Sequence, residues 1–124
     1  MIIKPFAPSD YEELLQWYSD WEEPPPALEL LPKTGFVIQN ICAGFLYMTD
    51  ARLGILDCFI SNPSSPKEKR TEAINALADN LLACAKFYGC RAVMASSNIL
   101  SIKQRCEDLG FVYKGETSLY IKEL

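Results

Sequence analysis

The sequence predicts one α+β domain with a mixed, mostly antiparallel sheet of six to seven strands and helices on both faces, an α/β/α sandwich. Three observations predict it. Several short apolar runs are separated by turn residues, one such run leads into a long amphipathic helix, and strand and helix patterns alternate after that helix. Because 124 residues can form one core but not two, we assign residues 1–124 to a single domain.

Composition excludes several classes of function. The formal net charge of −4 argues against sequence-independent binding to nucleic acid. No apolar run approaches the roughly 20 residues that a transmembrane helix needs, and the first residues lack the layout of a signal peptide, so we expect a cytoplasmic protein without a membrane partner. The chain contains no His, which excludes His-based catalytic triads and most zinc sites, and we expect no metal. The five cysteines include no C-x-x-C pair and are expected to be free thiols.

The first elements are a short strand at 2–6 and a helix capped by Ser9 or Asp10. Aromatic and aliphatic residues give this helix its apolar contacts: Leu14, Leu15, Trp17, Tyr18 and Trp21. Two acidic residues and three prolines follow, and the prolines make the chain extended there. From residue 36 the pattern predicts an antiparallel meander of three strands at 36–38, 41–48 and 53–60.

The long helix has a complete start signal, with Ser65 as N-cap, Pro66 at the first helical position and Glu68 at the third, which together predict a capping box. Gly89 is expected to end the helix as the C′ residue. One apolar stripe recurs with a period of 3.6: Ala73, Ile74, Leu77, Ala78, Leu81, Leu82 and Ala85.

The remaining chain predicts three further elements. Residues 91–95 form a buried strand, parallel to the strand at 53–60 because a helix connects the two. A helix then runs from a cap near Asn98 through Leu109 and ends at Gly110. Residues 111–113 and 119–121 are expected to form a last hairpin.

These residues carry a family resemblance. The order of elements, the opening at 4–10, the strand, loop and helix at 60–89 and the ending at 98–111 resemble the GCN5-related N-acetyltransferase (GNAT) superfamily over nearly the whole chain. The resemblance implies an acetyl-CoA-dependent N-acetyltransferase that moves an acetyl group to a primary amine by direct attack in a ternary complex. It also implies a GNAT-like sheet and a cofactor site at the helix start, where free N–H groups and the dipole favour an anion.

Mapped onto this sequence, the resemblance implies two sets of ligands for acetyl-CoA. The pantetheine arm would meet Phe59, Ile60 and Asn62, with Asn98 approaching the same arm or acting only as a helix cap. The pyrophosphate would be lined by Lys67, Glu68, Lys69, Arg70, Thr71 and Glu72.

Two positions depart from the family pattern. The loop at 61–66 has no glycine, so a phosphate approaches the backbone less closely, and the predicted capping box would use N–H groups that the pyrophosphate needs. Positive charge on Lys67, Lys69 and Arg70 could compensate. Cys106 stands where many members have a Tyr general acid, and it is either the acid here or a small apolar helix residue.

Asp57 is the candidate general base, because it is the only charged residue within the central strand and is expected to share a face with Ile55 and Phe59. It is either paired structurally or positioned for catalysis. Glu22 and Glu23, with Trp21, lie in the segment expected to overhang the acceptor and would attract a cationic amine, unless they are simply exposed.

One other function remains open at this point. The missing loop glycines and the missing Tyr also suit a catalytically inactive GNAT-fold binding or adaptor protein that has lost CoA, with Trp17, Tyr18 and Trp21 as its partner surface. An unrelated α+β domain is a third possibility, since element order alone is an associational argument. A homodimer is possible under each of these interpretations.

Overall fold

The computed structural model describes residues 1–97 and 100–124, with the side chains of residues 100 and 101 excepted. The elements in chain order are β1 (Lys4–Pro5), a 3₁₀ turn (Pro8–Asp10), α1 (Tyr11–Asp20), a second 3₁₀ turn (Leu28–Leu30), β2 (Thr34–Ile38), β3 (Cys42–Met48), β4 (Leu53–Ser61), α2 (Lys67–Phe87), β5 (Ala92–Ala95) and α3 (Leu100–Asp108).

The strands form one mixed sheet whose spatial order equals their order in the chain, β1 to β5. The first three pairings are antiparallel, and β4 pairs with β5 in parallel. The predicted meander and the parallel return after the long helix are therefore confirmed. An α+β fold with a mixed, mostly antiparallel sheet is also confirmed.

The strand number differs from the prediction. The described residues form five strands, not six to seven, because 111–124 contain no strand and the hairpin predicted at 111–113 and 119–121 is absent there. The apolar side chains of this segment are exposed, as with Leu119 and Tyr120. Strand propensity depends on packing against a neighbouring strand, and this segment has no such neighbour within the described chain.

The core consists of two buried clusters. Alternate residues of the same strands belong to different clusters. The α2 cluster contains Ile38, Cys42, Leu46, Leu56, Ala73, Leu77, Leu81 and Ala85. The α1 cluster contains Leu14, Trp17, Tyr18, Val37, Ala43, Phe45 and Ile60. Successive strand residues point to opposite faces of a sheet, and the residues of α1 and α2 belong to different clusters. The apolar stripe predicted for α2 supplies the buried residues of that helix.

The strand β5 is not buried as predicted. Ala92, Met94 and Ala95 are exposed, and only Val93 packs against the α2 cluster. An apolar parallel strand normally has a neighbour on each side, whereas β5 pairs only with β4 among the described residues.

The helix ends follow the predicted glycines. Gly89 and Gly110 have φ of 87° and 89°, the left-handed region that glycine adopts without strain. After α2, Cys90 N–H donates to the Ala85 carbonyl at 2.9 Å, and after α3, Phe111 N–H donates to the Cys106 carbonyl at 2.9 Å. Both are Schellman closures, so the predicted ends of the two helices are confirmed.

Candidate functional site

The candidate site lies where β4 separates from β5. The parallel pairing runs from Leu53 opposite Ala92 to Leu56 opposite Ala95 and stops there. The strand β4 continues to Ser61, paired with β3 alone. Over 57–61 the edge of β4 that faces away from β3 therefore has no strand partner among the described residues, and its backbone donors and acceptors can bind a ligand.

A β-bulge marks the point of separation. Ala43 lies opposite Ile60 and Phe45 opposite Asp57, so two steps along β3 match three along β4. Cys58 takes a φ of 58°, which is unusual for a residue with a side chain, and its N–H donates to Asp57 Oδ1 at 2.7 Å. A bulge of this kind bends its strand and ends pairing on the outer side.

The bulge changes which side chains share a face. We expected Asp57 to lie on one face with Phe59, but Phe59 packs against the α2 cluster whereas Asp57 lies opposite Phe45 of the α1 cluster. That expectation is wrong, because one inserted residue shifts the alternation by one. Gly44 makes room for Phe59, since a Cβ there would lie 2.7 Å from the Phe59 ring.

On the α1 side of the bulge, the exposed carboxylate of Asp57 acts electrostatically on three side chains, those of Tyr18, Tyr47 and Cys58. Tyr47 Oη donates to the Leu30 carbonyl at 2.9 Å and lies 3.4 Å from Cys58 Sγ. Either of these two atoms could be the donor in the contact between Tyr47 and Cys58. Tyr18 completes the group from α1.

Burial is the main cause of the raised pKa values of Tyr18, Tyr47 and Cys58. It raises the pKa of Tyr18, and the charges of Cys58, Asp57 and Glu23 raise it further. Burial, the Cys58 hydrogen bond and the Asp57 charge raise the pKa of Tyr47. Burial also raises the pKa of the Cys58 thiol, and this effect exceeds the lowering caused by the hydrogen bond with Tyr47. All three groups therefore keep their protons at neutral pH beside one carboxylate.

The start of α2 differs from the predicted capping box. The N-cap is Pro66, the helix begins at Lys67, and no side chain caps it. Ser65 Oγ instead donates to the Asn40 carbonyl at 3.0 Å, and Asn62 Nδ2 donates to the same carbonyl at 2.9 Å. The turn at Asn40 thus holds the loop, and within the described chain no side-chain cap is found at this helix start.

Trp21 links the end of α1 to the start of α2. Its indole N–H donates to the Ser61 carbonyl at 2.7 Å, and the Arg70 guanidinium lies 5.5 Å from the centre of its ring. We expected Trp21 on the acceptor side, and it lies against the predicted cofactor loop. Glu22 adopts φ 57° as the C′ residue of α1, and Glu23 N–H donates to the Tyr18 carbonyl at 2.9 Å.

Apart from Asn62, whose side chain donates to the Asn40 carbonyl, the predicted cofactor residues fall into three groups. Phe59 and Ile60 pack in the two clusters, so their backbone rather than their side chains faces the open edge. The charged and polar residues of the first helical turns are exposed, with Arg70 half-buried: Lys67, Glu68, Lys69, Thr71 and Glu72. Asn98 lies outside the described residues.

Cys106 lies in the last turn of α3 and is half-buried, and burial raises the pKa of its thiol while Arg105 lowers it. Within the described chain, no hydrogen bond joins Cys106 to Asp57. The sequence did not single out Cys58 or give Tyr47 positional support. Only the bulge brings these two side chains together, and no local motif signals it.

Other kinds of site have little support in the structure. The described residues contain no group of three His, Cys, Asp or Glu side chains that could hold a metal ion. In the same part of the chain, no helix is long and apolar enough to cross a membrane. An open groove of about 570 Å³ lies at the far end of α2 and is lined by Pro32, Lys33, Thr34, Leu46, Met48 and Tyr88.

Three solved structures show what this fold resembles. A Thermus thermophilus protein aligns with a TM-score of 0.68 at 16% identity, over 100% of this chain and 98% of its own. A Trypanosoma brucei acetyltransferase aligns with a TM-score of 0.67 at 16% identity, over 97% and 99%. AAC(6')-Iy, in complex with the bisubstrate analogue CoA-S-monomethyl-acetylneamine, aligns with a TM-score of 0.66 at 16% identity, over 99% and 98%.

Neither a protein-family model nor a curated protein sequence matches the chain. The structural likeness extends over nearly the full length of each of these proteins and includes acetyltransferases. The chain therefore has the fold of the GNAT acetyltransferases, and the resemblance found in the sequence is confirmed for the fold.

Proposed function

We propose that this chain is an acetyl-CoA-dependent N-acetyltransferase that transfers the acetyl group to a primary amine by direct attack in a ternary complex. One observation carries the proposal. The unpartnered half of β4 leads, through a loop held at Asn40, into a helix start without a side-chain cap. This arrangement offers backbone groups for an extended arm and, one turn later, N–H donors and the positive end of a dipole for a diphosphate.

The chemistry of these donors fits coenzyme A. The backbone of Phe59 and Ile60, with Asn62, would bind the pantetheine amides, and Asn98 is proposed beside the same arm. The first turns of α2 would bind the pyrophosphate through backbone N–H groups and through Lys67, Lys69 and Arg70, with Glu68, Thr71 and Glu72 alongside. The loop lacks glycine, but Ser65 and Glu68 do not form the capping box that would occupy those N–H groups.

Arg70 is the basic residue of this helix start that contacts an aromatic ring. Trp21 holds its guanidinium, and Trp21 is itself held by the Ser61 carbonyl at the end of β4. A planar guanidinium binds phosphate oxygens in a bidentate manner, and an ordered one loses less entropy on binding. Trp21 therefore supports the cofactor side in this proposal, while its exposed face remains available to the acceptor.

Acetyl-CoA supplies an activated acetyl thioester, and the protein must assist two proton transfers. The acceptor ammonium must lose one proton before it attacks, and Asp57 is the proposed base because it is exposed at the bulge. The departing thiolate must gain one proton. Cys106 is the proposed donor, since burial keeps its thiol protonated at neutral pH. Both roles are predictions for this chain.

The proposed acceptor is a cationic amine. Glu23 lies close enough to Tyr18 for its charge to raise the pKa of that phenol, and Asp57 acts on the same phenol. With Glu22 adjacent, these carboxylates make the α1 side of the bulge electronegative, and this field would attract an ammonium group.

A thermal shift assay with acetyl-CoA tests the proposal. A ligand present at 100 times its Kd stabilises the folded state by about 2.7 kcal/mol, which corresponds to a rise of several degrees in Tm for a domain of this size. Dithiothreitol-reduced protein and acetate alone serve as controls for thiol exchange and for the acetyl group. No shift at millimolar acetyl-CoA, in protein shown to be folded by circular dichroism, would overturn it in favour of a binding protein that has lost CoA.

A further inference from the structure

Two tyrosine hydroxyls hold an exposed, proline-rich segment against the core. We define the strap as residues 22–31, which follow α1 and contain three successive prolines. Tyr11 Oη donates to the Pro26 carbonyl at 2.6 Å, and Tyr47 Oη donates to the Leu30 carbonyl at 2.9 Å. The first tyrosine belongs to α1 and the second to β3, so a helix and a strand together hold this one loop.

The strap has few other attachments within the described chain. Its prolines lack N–H groups, and most of its residues are exposed. Beyond the end of α1, its backbone hydrogen bonds are local, from Leu30 to Ala27 and from Leu31 to Leu28. The side chain of Leu31 packs against the α1 cluster. Because a run of prolines is stiff, an anchor at its last residue fixes the direction of the whole run.

Tyr47 joins the strap to the bulge. The oxygen that donates to the strap also lies 3.4 Å from Cys58 Sγ, and Cys58 follows Asp57 in β4. The first residues of the strap lie on the same side. The pKa of Tyr18, raised mainly by burial, is raised further by the charges of Asp57 and Glu23, so the strap and the proposed base act on one phenol.

We propose that Tyr11 and Tyr47 are positioning residues for the acceptor amine, which hold the strap as a fixed wall beside Asp57. The inference rests on the proposed function, because that function places the acceptor at the bulge. A wall that is already ordered loses less conformational entropy when the acceptor binds than a free loop would. The two hydroxyls therefore lower the KM for the amine. They form no hydrogen bond with the start of α2 in the described chain, so acetyl-CoA binding does not depend on them.

Hydrogen exchange tests the attachment of the strap without any substrate. Tyr11→Phe and Tyr47→Phe each remove a hydroxyl and keep the ring. In both variants the amides of Leu30 and Leu31 should exchange about fivefold faster, since the loss of one hydrogen bond changes an equilibrium constant by about that factor. Tyr120→Phe is the matched control, because Tyr120 is 89% exposed, and it should leave this exchange unchanged. Exchange at the parent rate in both strap variants would overturn the inference.

Steady-state kinetics test the role in acceptor binding. With ethylamine, butylamine and lysine amide as probes, Tyr47→Phe should raise the KM for the amine about fivefold, as expected for one lost hydrogen bond. The KM for acetyl-CoA should stay at the parent value, and kcat should change less than the KM for the amine because Asp57 is retained. An unchanged KM for the amine, in a variant whose strap amides exchange faster, would overturn the positioning role.

A failure of the proposed function gives a different result. In that case the parent protein neither binds acetyl-CoA in calorimetry nor acetylates any of the probes, and the inference is overturned with it. If only the inference is wrong, the parent protein is active and Tyr11→Phe and Tyr47→Phe have its KM for the amine.

Discussion

The two halves of β4 have different environments although they belong to one strand. Residues 53–56 lie between β3 and β5 and include Leu56 of the α2 cluster. Residues 57–61 pair with β3 alone and include the exposed carboxylate of Asp57 and the thiol of Cys58. A single inserted residue separates these environments. The comparison shows how one bulge can turn a strand paired on both sides into a strand with one open edge, without interrupting the chain.

The largest effect is expected from removing the bulge that separates the two halves of β4. Deletion of Cys58 leaves a regular ladder in which Gly44 faces Phe59 while Asp57 and Ile60 keep their present partners. We expect a folded protein that has lost acetyl-CoA binding and activity, because a straight β4 stays beside β5 and the open edge closes. Calorimetry with acetyl-CoA, together with circular dichroism, measures both properties. Normal affinity for acetyl-CoA in the folded deletion variant would show that acetyl-CoA binding does not depend on the bulge.

The second prediction tests the carboxylate that the bulge presents. Asp57→Asn keeps an oxygen that can accept the Cys58 N–H and removes the base, so kcat should fall about 10²-fold with little change in KM for acetyl-CoA. The loss should shrink as the pH rises, since a larger fraction of the acceptor amine is then already deprotonated. Steady-state kinetics between neutral and alkaline pH make the measurement. Asp79→Asn, an exposed carboxylate on α2, is the control, and an equal loss in that variant would remove the role from Asp57.

The third prediction concerns the helix that the open half leads into. Replacing both Lys67 and Lys69 by Ala should raise KM for acetyl-CoA about tenfold and leave kcat unchanged, because two charge-assisted contacts to phosphate are lost. The effect should diminish at high ionic strength. Lys86→Ala, at the other end of the same helix, is the matched control. A KM for acetyl-CoA that does not respond to the Lys67 and Lys69 change would place the diphosphate elsewhere.

The smallest effect tests the backbone of the bulge itself. Cys58 holds φ 58°, a region that costs an ordinary residue about 1–2 kcal/mol and a β-branched one more. Cys58→Gly should therefore be nearly as stable as the parent, since relief of strain offsets the lost contact with Tyr47. Cys58→Val should lose about 1–3 kcal/mol of unfolding free energy. Urea denaturation of the Cys58→Gly and Cys58→Val variants measures the two unfolding free energies. Equal values would mean that residue 58 does not keep this positive φ in solution.

Local patterns predicted the elements that local chemistry specifies. The stripe from Ala73 to Ala85 predicted the buried face of α2, and Gly89 and Gly110 predicted the ends of two helices. The capping box at Ser65 was wrong for a tertiary reason, because the Asn40 carbonyl, distant in sequence, takes the Ser65 hydroxyl. The buried strand at 91–95 was wrong for a similar reason, since burial depends on a neighbour that the pattern cannot supply.

The candidate site divides in the same way. The sequence singled out Asp57, the basic residues at the start of α2 and the strand that leads into α2. Local sequence patterns are sufficient to identify a charged residue in an apolar strand and the start of a helix. It missed the contact between Tyr47 and Cys58 and placed Phe59 on the wrong face. A bulge forms where two strands fail to match in length, and that mismatch involves both β3 and β4.

The sequence by itself determined the order of the helices and strands as far as α3, the amphipathic faces of α1 and α2, and the set of charged groups available for chemistry. These follow from side-chain periodicity and backbone preferences, which act over a few residues. Only the tertiary structure decided where β4 leaves β5, which N–H groups stay uncapped, and which edge stays open. Each of these depends on hydrogen bonds or packing between segments far apart in the chain, and no local pattern encodes such a choice.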